Sequence, residues 1–124
     1  MINKYIYNKM QNEMPKNHLL QAYKLFFSTL TSKDRLLILN LLRENPRTVT
    51  EIQNELKMEQ TTVSHNLNKL KKCGFVKSEI NGKYRTYSIN KKTIFPLMDL
   101  IDKHMIEYCM KIIEHNHGGI ENEI

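Results

Sequence analysis

Two short helical patterns joined by a brief break, with a strand–turn–strand pattern directly behind them, leave residues 48–89 few ways to fold. The first helix opens at "TVTE". Thr48 followed by Glu51 is a capping box, and Val49, Ile52 and Leu56 supply one apolar stripe. Lys57 to Glu59 interrupt the period. In "QTTVSHNLNKLKKCG" an apolar stripe resumes at Val63, Leu67 and Leu70, spaced i, i+4, i+7, and Gly74 ends the helix. Thr61, Thr62, Ser64, His65, Asn66, Asn68 and Lys69 are expected to point away from that stripe. Two short helices with a tight turn, the second polar on its outer face, describe a helix-turn-helix. Behind it, "FVKSEI" and "KYRTYSI" flank Asn81-Gly82, the pair that most strongly signals a two-residue type I′ hairpin. A helix-turn-helix followed at once by a basic hairpin is a winged helix.

The rest of the chain supplies a support. Ser32 is placed to cap "SKDRLLILNLLREN", in which Leu36, Leu37, Ile38, Leu39, Leu41 and Leu42 make the helix apolar nearly all round. It should be the buried central helix, closed off by Pro46. An earlier stripe at Leu19, Leu20, Tyr23, Phe26, Phe27 and Leu30 predicts another helix. From Lys91 to about His115, Ile94, Leu97, Ile101, Met105, Tyr108 and Ile112 fall on one side of a long final helix, with Pro96 tolerated in its first turns. The expected class is mainly α with a small β-hairpin, the order being three helices, a second helix-turn-helix member, two strands and a last helix. Residues 1–16, polar with Tyr5 and Tyr7 interleaved, read as a flexible arm; 17–117 form the folded domain; 118–124 read as a flexible tail.

At 124 residues the chain is long enough for one core, not two. No stretch approaches the ~18 consecutive apolar residues of a membrane span. "MINKYIYNKMQNEMPK" has no apolar signal-peptide region, so a cytoplasmic protein is expected. Cys73 and Cys109 make neither a disulfide framework nor a metal-type pair; Cys73 is expected in the core and Cys109 is expected to be packed rather than reactive, with a thiol switch as the alternative. Nothing resembles a nucleophile–base pair, a phosphate-cradling glycine loop or paired carboxylates, which argues against an enzyme.

Charge is where composition becomes informative. Between Gln60 and Lys92 lie Lys69, Lys71, Lys72, Lys77, Lys83, Arg85, Lys91 and Lys92 against one acid, Glu79. That segment carries +7, so the remainder of a chain with net charge +6 sums to −1. A basic segment on a near-neutral body is the footprint of a phosphate-backbone binder. Gln60, Thr61, Thr62, Ser64, His65 and Asn66 have side chains able to donate and accept at base edges in a major groove. Lys69, Lys71 and Lys72 suit phosphates, and Lys83 and Arg85 near the wing tip suit the backbone or flanking minor groove. Sequence-specific binding of double-stranded DNA is the function this pattern predicts. A winged helix used as a protein- or RNA-interaction module is the alternative.

These residues also carry a resemblance. "SKDRLLILNLL" looks like the central helix of the ArsR/SmtB repressors. "TVTEIQNELKMEQTTVSHNLNKLKKCGFVKSEINGKYRTYSIN" resembles their helix-turn-helix and wing nearly position for position, over about residues 18–115 in all. The resemblance implies a homodimer joined through the first and last helices, reading a palindromic operator, with repression relieved by a ligand. Glu59 departs from it, standing where the family often has Ser at the recognition-helix cap.

The resemblance also implies where a metal would sit. One family site uses cysteines on the helix before the recognition helix, and "TVTEIQNEL" has none. Another lies on the final helix as Asp-x-His, ten residues, His, then a fourth ligand; Asp102, His104 and His115 fit the first three positions. The fourth position is Gly118, so His117, or else Glu121, would have to serve. Geometry adds that residues eleven apart return to within about 20° of one helix face but lie about 16 Å apart along the axis. His104 and His115 of one chain therefore cannot share an ion, whereas two antiparallel helices crossing near Cys109 and Met110 bring His104 to the other chain's His115. Such a mixed N/O set suits tetrahedral Zn²⁺ at the dimer interface. The alternatives are a repressor sensing a non-metal signal or none, and histidines simply solvated at a helix end.

Overall fold

The computed structural model describes residues 3–13 and 16–116. In chain order the elements are α1 (Lys4–Glu13), α2 (Lys16–Leu30), α3 (Lys33–Glu44), β1 (Arg47–Thr48), α4 (Val49–Leu56) and α5 (Gln60–Lys72). They are followed by β2 (Val76–Asn81), β3 (Tyr84–Ile89), α6 (Ile94–Glu107) and α7 (Cys109–Asn116). α4, α5 and the β2–β3 wing form a winged helix-turn-helix, as the spacing predicts.

The local signals act as expected. The Ser32 hydroxyl accepts from Arg35 N–H at 3.3 Å, starting α3. At α4 both halves of the capping box form: Glu51 N–H donates to Thr48 Oγ1 (3.2 Å) and Thr48 N–H to Glu51 Oε1 (3.0 Å). α5 ends in a Schellman motif. Gly74 takes φ +75°, Phe75 N–H donates to Leu70 O (2.8 Å) and Gly74 N–H to Lys71 O (3.0 Å). That turn carries Phe75 from the end of α5 into the core, where it is fully buried beside Ile38, Leu39, Ile52, Val63, Leu67 and Leu70. α3 is thus the central helix, with α4, α5 and the sheet packed around it.

Five details differ from the sequence reading. The arm expected over 1–16 contains α1, whose described side chains, Tyr5 and Tyr7 included, are exposed. Leu36 and Leu37 lie more than a third exposed, so α3 buries one broad face rather than its whole circumference. The wing has a third strand: β1 pairs antiparallel with β3 through Arg47–Tyr87 and Thr48–Thr86, giving the order β1-β3-β2. A two-residue strand is too short to show alternation. The turn itself is shifted by one residue. Asn81 pairs with Tyr84, so Gly82-Lys83 form the loop, and Gly82 alone has positive φ (+62°). A glycine at the first central position belongs to type II′, not I′. Finally, the long last helix is broken at Tyr108 (φ −120°, ψ −62°) into α6 and α7. Neither proline nor glycine stands there to signal it.

Candidate nucleic-acid interface

α5 and the wing carry the side chains expected to meet DNA. At the start of α5, Glu59 occupies the N-cap without a side-chain hydrogen bond, so the first amides of the helix have no local acceptor from it. Gln60, Thr61, His65, Asn68, Lys69 and Lys72 are exposed along the outer face, and Thr62 and Ser64 are half-buried at its margin. Lys83 and Arg85 are exposed at the wing tip. The one acid of the basic segment, Glu79, is paired with Lys77 at 3.2 Å, which leaves the other cations of the segment free of it. Two exposed surfaces, one rich in base-edge chemistry and one cationic, therefore sit on a single winged unit.

Asn66 is the correction. Expected among the base-reading side chains, it is 6 % exposed and turned into the protein. Its Nδ2 donates to Thr62 O (2.8 Å) and its Oδ1 accepts from Arg35 Nη1 (3.2 Å). The guanidinium is fixed further by Arg35 Nε to Thr29 O (2.8 Å) and Nη2 to Ser28 O (3.2 Å). Arg35 thus ties the end of α2 and the start of α3 to the middle of α5. A signal for Asn66 exists in the sequence: it lies three residues after Val63 and four before Leu70, on the buried stripe. Polarity alone suggests the opposite face. Arg35 carries no comparable signal, because its partner is 31 residues away.

Upstream, the capping box holds the Glu51 carboxyl below the ordinary glutamate range. The Thr48 backbone N–H is the largest cause, with the Thr48 side chain next. The charge also favours the α4 N-terminus.

The candidate metal ligands lie elsewhere. Asp102, on α6, forms a 2.7 Å ion pair with Arg43 Nη2 of α3, and Asp99 stands 3.9 Å from the same nitrogen. His104 is exposed and its ring lies 4.8 Å from that of Tyr108. His115 is exposed on α7; His117, Gly118 and Glu121 lie outside the described residues. Among the described residues, no three His, Cys, Asp or Glu side chains gather to hold a metal ion within one chain. Likewise, no helix there is long and apolar enough to cross a membrane.

Comparison with known proteins agrees with this geometry. A family profile for bacterial regulatory proteins of the arsR family matches residues 32–78, from the α3 cap to the first wing strand. A helix-turn-helix-type transcriptional regulator of Methanocaldococcus jannaschii is 40% identical over 78 residues, which span 62% of this chain and 88% of that protein. The cadmium resistance transcriptional regulatory protein CadC of Listeria innocua is 40% identical over 76 residues, 60% of this chain and 64% of that one. Among solved structures, the homodimeric winged helix-turn-helix DNA-binding domain of a possible ArsR-family regulator from Mycobacterium bovis superposes with a TM-score of 0.70 at 30% identity. That match covers 77% of this chain and 88% of that one. By this profile match, the identity to known regulators and the superposition, the chain belongs to the ArsR family of DNA-binding transcriptional regulators.

Proposed function

We propose that the protein is a homodimeric repressor that reads a palindromic operator through α5 and the wing, and that a divalent metal of the Zn²⁺ type releases it. The observation that carries the DNA reading is the outer face of α5, polar and exposed from Gln60 to Lys69, with the cationic wing beside it. Bases are read by Gln60, Thr61, Thr62, Ser64 and His65. Phosphates are held by Lys69, Lys72, Lys83 and Arg85. Asn66 acts from inside, setting the angle at which α5 is presented.

Exposed apolar faces support the dimer. Phe27 on α2, Tyr108 at the α6–α7 break and Ile112 on α7 are each about half exposed, and Leu100 and Ile106 on α6 more so. Phe26, next to Phe27 on α2, packs on Phe75 of its own chain (centroids 5.1 Å apart). A second copy covering those faces would hold two α5 helices at a fixed separation, matching half-sites one turn, ~34–36 Å, apart.

The metal reading rests on the Asp102, His104 and His115 pattern, with CadC as a relative named for cadmium resistance. Nitrogen and oxygen donors of this kind suit Zn²⁺. Asp102 and His104 of one chain with His115 and His117 of the other would hold it. The ion would cross-link α6 of one chain to α7 of the other; because the break at Tyr108 lies between His104 and His115, this set does not rest on their sharing one continuous helix face. Asp102 is already committed to Arg43, so its carboxylate must be shared with, or surrendered by, that guanidinium.

The test is selection of operators from random duplex, with Zn²⁺ and with chelator. Replacing Ser64 and His65 by Ala should relax base preference, by about 1–3 kcal/mol for each good base-edge bond removed. Replacing Lys83 and Arg85 should weaken all duplexes alike and flatten the salt dependence. His104→Ala should abolish release by Zn²⁺ and leave metal-free operator affinity nearly unchanged. Discrimination intact without Ser64 and His65 refutes the reading face, and Zn²⁺ release surviving in His104→Ala refutes the metal site.

A further inference from the structure

A cavity of about 500 Å³ opens between α2, α3 and the C-terminal end of α5. Leu25, Phe26 and Phe75 give it an apolar wall. Arg35, Lys69 and Lys72 bring three cations to it, and no acid is among its lining residues. Arg35 is held in place by its bonds to Thr29 O, Ser28 O and Asn66 Oδ1. Among the described residues, neither Lys69 nor Lys72 has a carboxylate within 4.0 Å. Volumes of ~300–1,000 Å³ with apolar walls and a few convergent polar groups are typical of small-molecule sites.

We propose that this cavity binds a small organic acid with an apolar body, its carboxylate placed against Lys69 and Lys72. The wall disfavours a purely ionic ligand, since a bare anion would leave the Leu25 and Phe26 surface uncovered. The excess of positive charge favours an anionic ligand over a neutral one. The Cys73 thiol also lines the cavity, 3.5 Å from Thr29 Oγ1, and reports on its occupancy. The cavity borders the proposed dimer face at Phe26, whose ring stands 5.4 Å from that of Phe27. Leu25 and Phe27 are two residues apart on α2, about 200° around the helix, so they leave it on opposite flanks.

A consequence follows for DNA, and it rests on the reading proposed above. Lys69 and Lys72 are the same side chains assigned to phosphates, so a bound carboxylate and the operator backbone draw on one pair of charges. Acid should weaken operator binding, and operator should weaken acid binding by the same factor.

The probe is 8-anilinonaphthalene-1-sulfonate, an apolar body with one anionic group, compared with neutral N-phenyl-1-naphthylamine. In a Cys109→Ser background Cys73 is the only thiol, so the rate of its alkylation by N-ethylmaleimide localises the probe. The expected result is that the sulfonate slows alkylation several-fold and binds roughly tenfold or more tighter than the neutral probe, a gap of about 1.4 kcal/mol. Lys69→Ala with Lys72→Ala should erase that preference. Ala22→Phe, filling the mouth from an exposed position of α2, should weaken both probes. Should that variant not fold, the two exposed lysines decide the matter. Unprotected Cys73, or equal binding of the two probes, overturns the site. Protection of Cys73 with operator affinity unchanged keeps the site and refutes the competition with DNA. Protection in a protein that prefers no duplex sequence keeps the site and refutes the operator reading instead.

Discussion

Replacing Asn66 by Ala separates a positioning role from a reading role. The change removes two hydrogen bonds at a site 6 % exposed: the 3.2 Å bond from Arg35 Nη1 and the 2.8 Å bond to Thr62 O. The first is charge-assisted and buried on one side, a class worth about 1.5–3 kcal/mol. The second shares its acceptor with the helix backbone and adds less, about 0.5 kcal/mol. Against this, Ala is the better helix former by roughly 0.5–0.7 kcal/mol. The net expectation is a loss of about 2 kcal/mol. With a urea slope of ~1–3 kcal/mol/M, the midpoint falls by roughly 1 M. Equilibrium unfolding at fixed protomer concentration measures it, because association contributes to the stability of an oligomer. Asn68→Ala, two residues on and exposed, is the control and should stay within about 0.5 kcal/mol of the parent. If Asn66→Ala unfolds like the parent yet changes which bases are preferred, then Asn66 reads DNA and the inward bonding is incidental.

Other substitutions test the local geometry. Thr48→Ala removes the α4 capping box and should cost about 1 kcal/mol. Because the Glu51 carboxyl is held below its usual range, its contribution is present above about pH 4.3 and is lost as pH falls through the lowered folded value. Glu51→Gln should flatten stability in that acidic window and not near neutrality, as acid titration of unfolding will report. Lys57 sits in the left-handed region at φ 55° in the turn between α4 and α5. Lys57→Gly should therefore raise thermal stability by about 0.5–1 kcal/mol, and a decrease would contradict the strain. Gly82 has open space around it, so Gly82→Ala tests conformation alone. It should cost about 1–2 kcal/mol and reduce amide protection along β2 and β3.

Much of this architecture was legible because its signals are local. Ser32, the Thr48–Glu51 box and Gly74 mark helix ends through bonds made within a few residues, and the stripe of Val63, Leu67 and Leu70 marks the buried side of α5. Where several local solutions were nearly equivalent, the sequence under-determined the result. Asn-Gly and Gly-Lys both make two-residue turns, and the pairing of β3 with β1 and β2 chooses between them. Features made by distant residues were not legible at all: the Arg35–Asn66 bond, the Arg43–Asp102 ion pair, and the cavity walled by α2 and α5. The break at Tyr108 has no physical account in the residues around it. For the candidate sites, spacing identified which side chains share a stripe, but not that Asp102 already has a cationic neighbour.

Thr48 belongs to two structures at once. It pairs with Thr86 in the sheet and, through its side chain, caps α4. The wing strand β3 and the first helix of the helix-turn-helix are thereby fastened to the same residue, while α4 is joined to α5 by the short Lys57–Glu59 turn. The two parts proposed to meet DNA would then act as the jaws of a caliper whose opening is set by bonds within the fold. Little ordering is left to be done on binding, which favours affinity. A fixed opening also measures: a duplex whose phosphates lie too near or too far apart must deform to fit, at a cost that depends on its sequence. Discrimination can then extend to base pairs that no side chain touches.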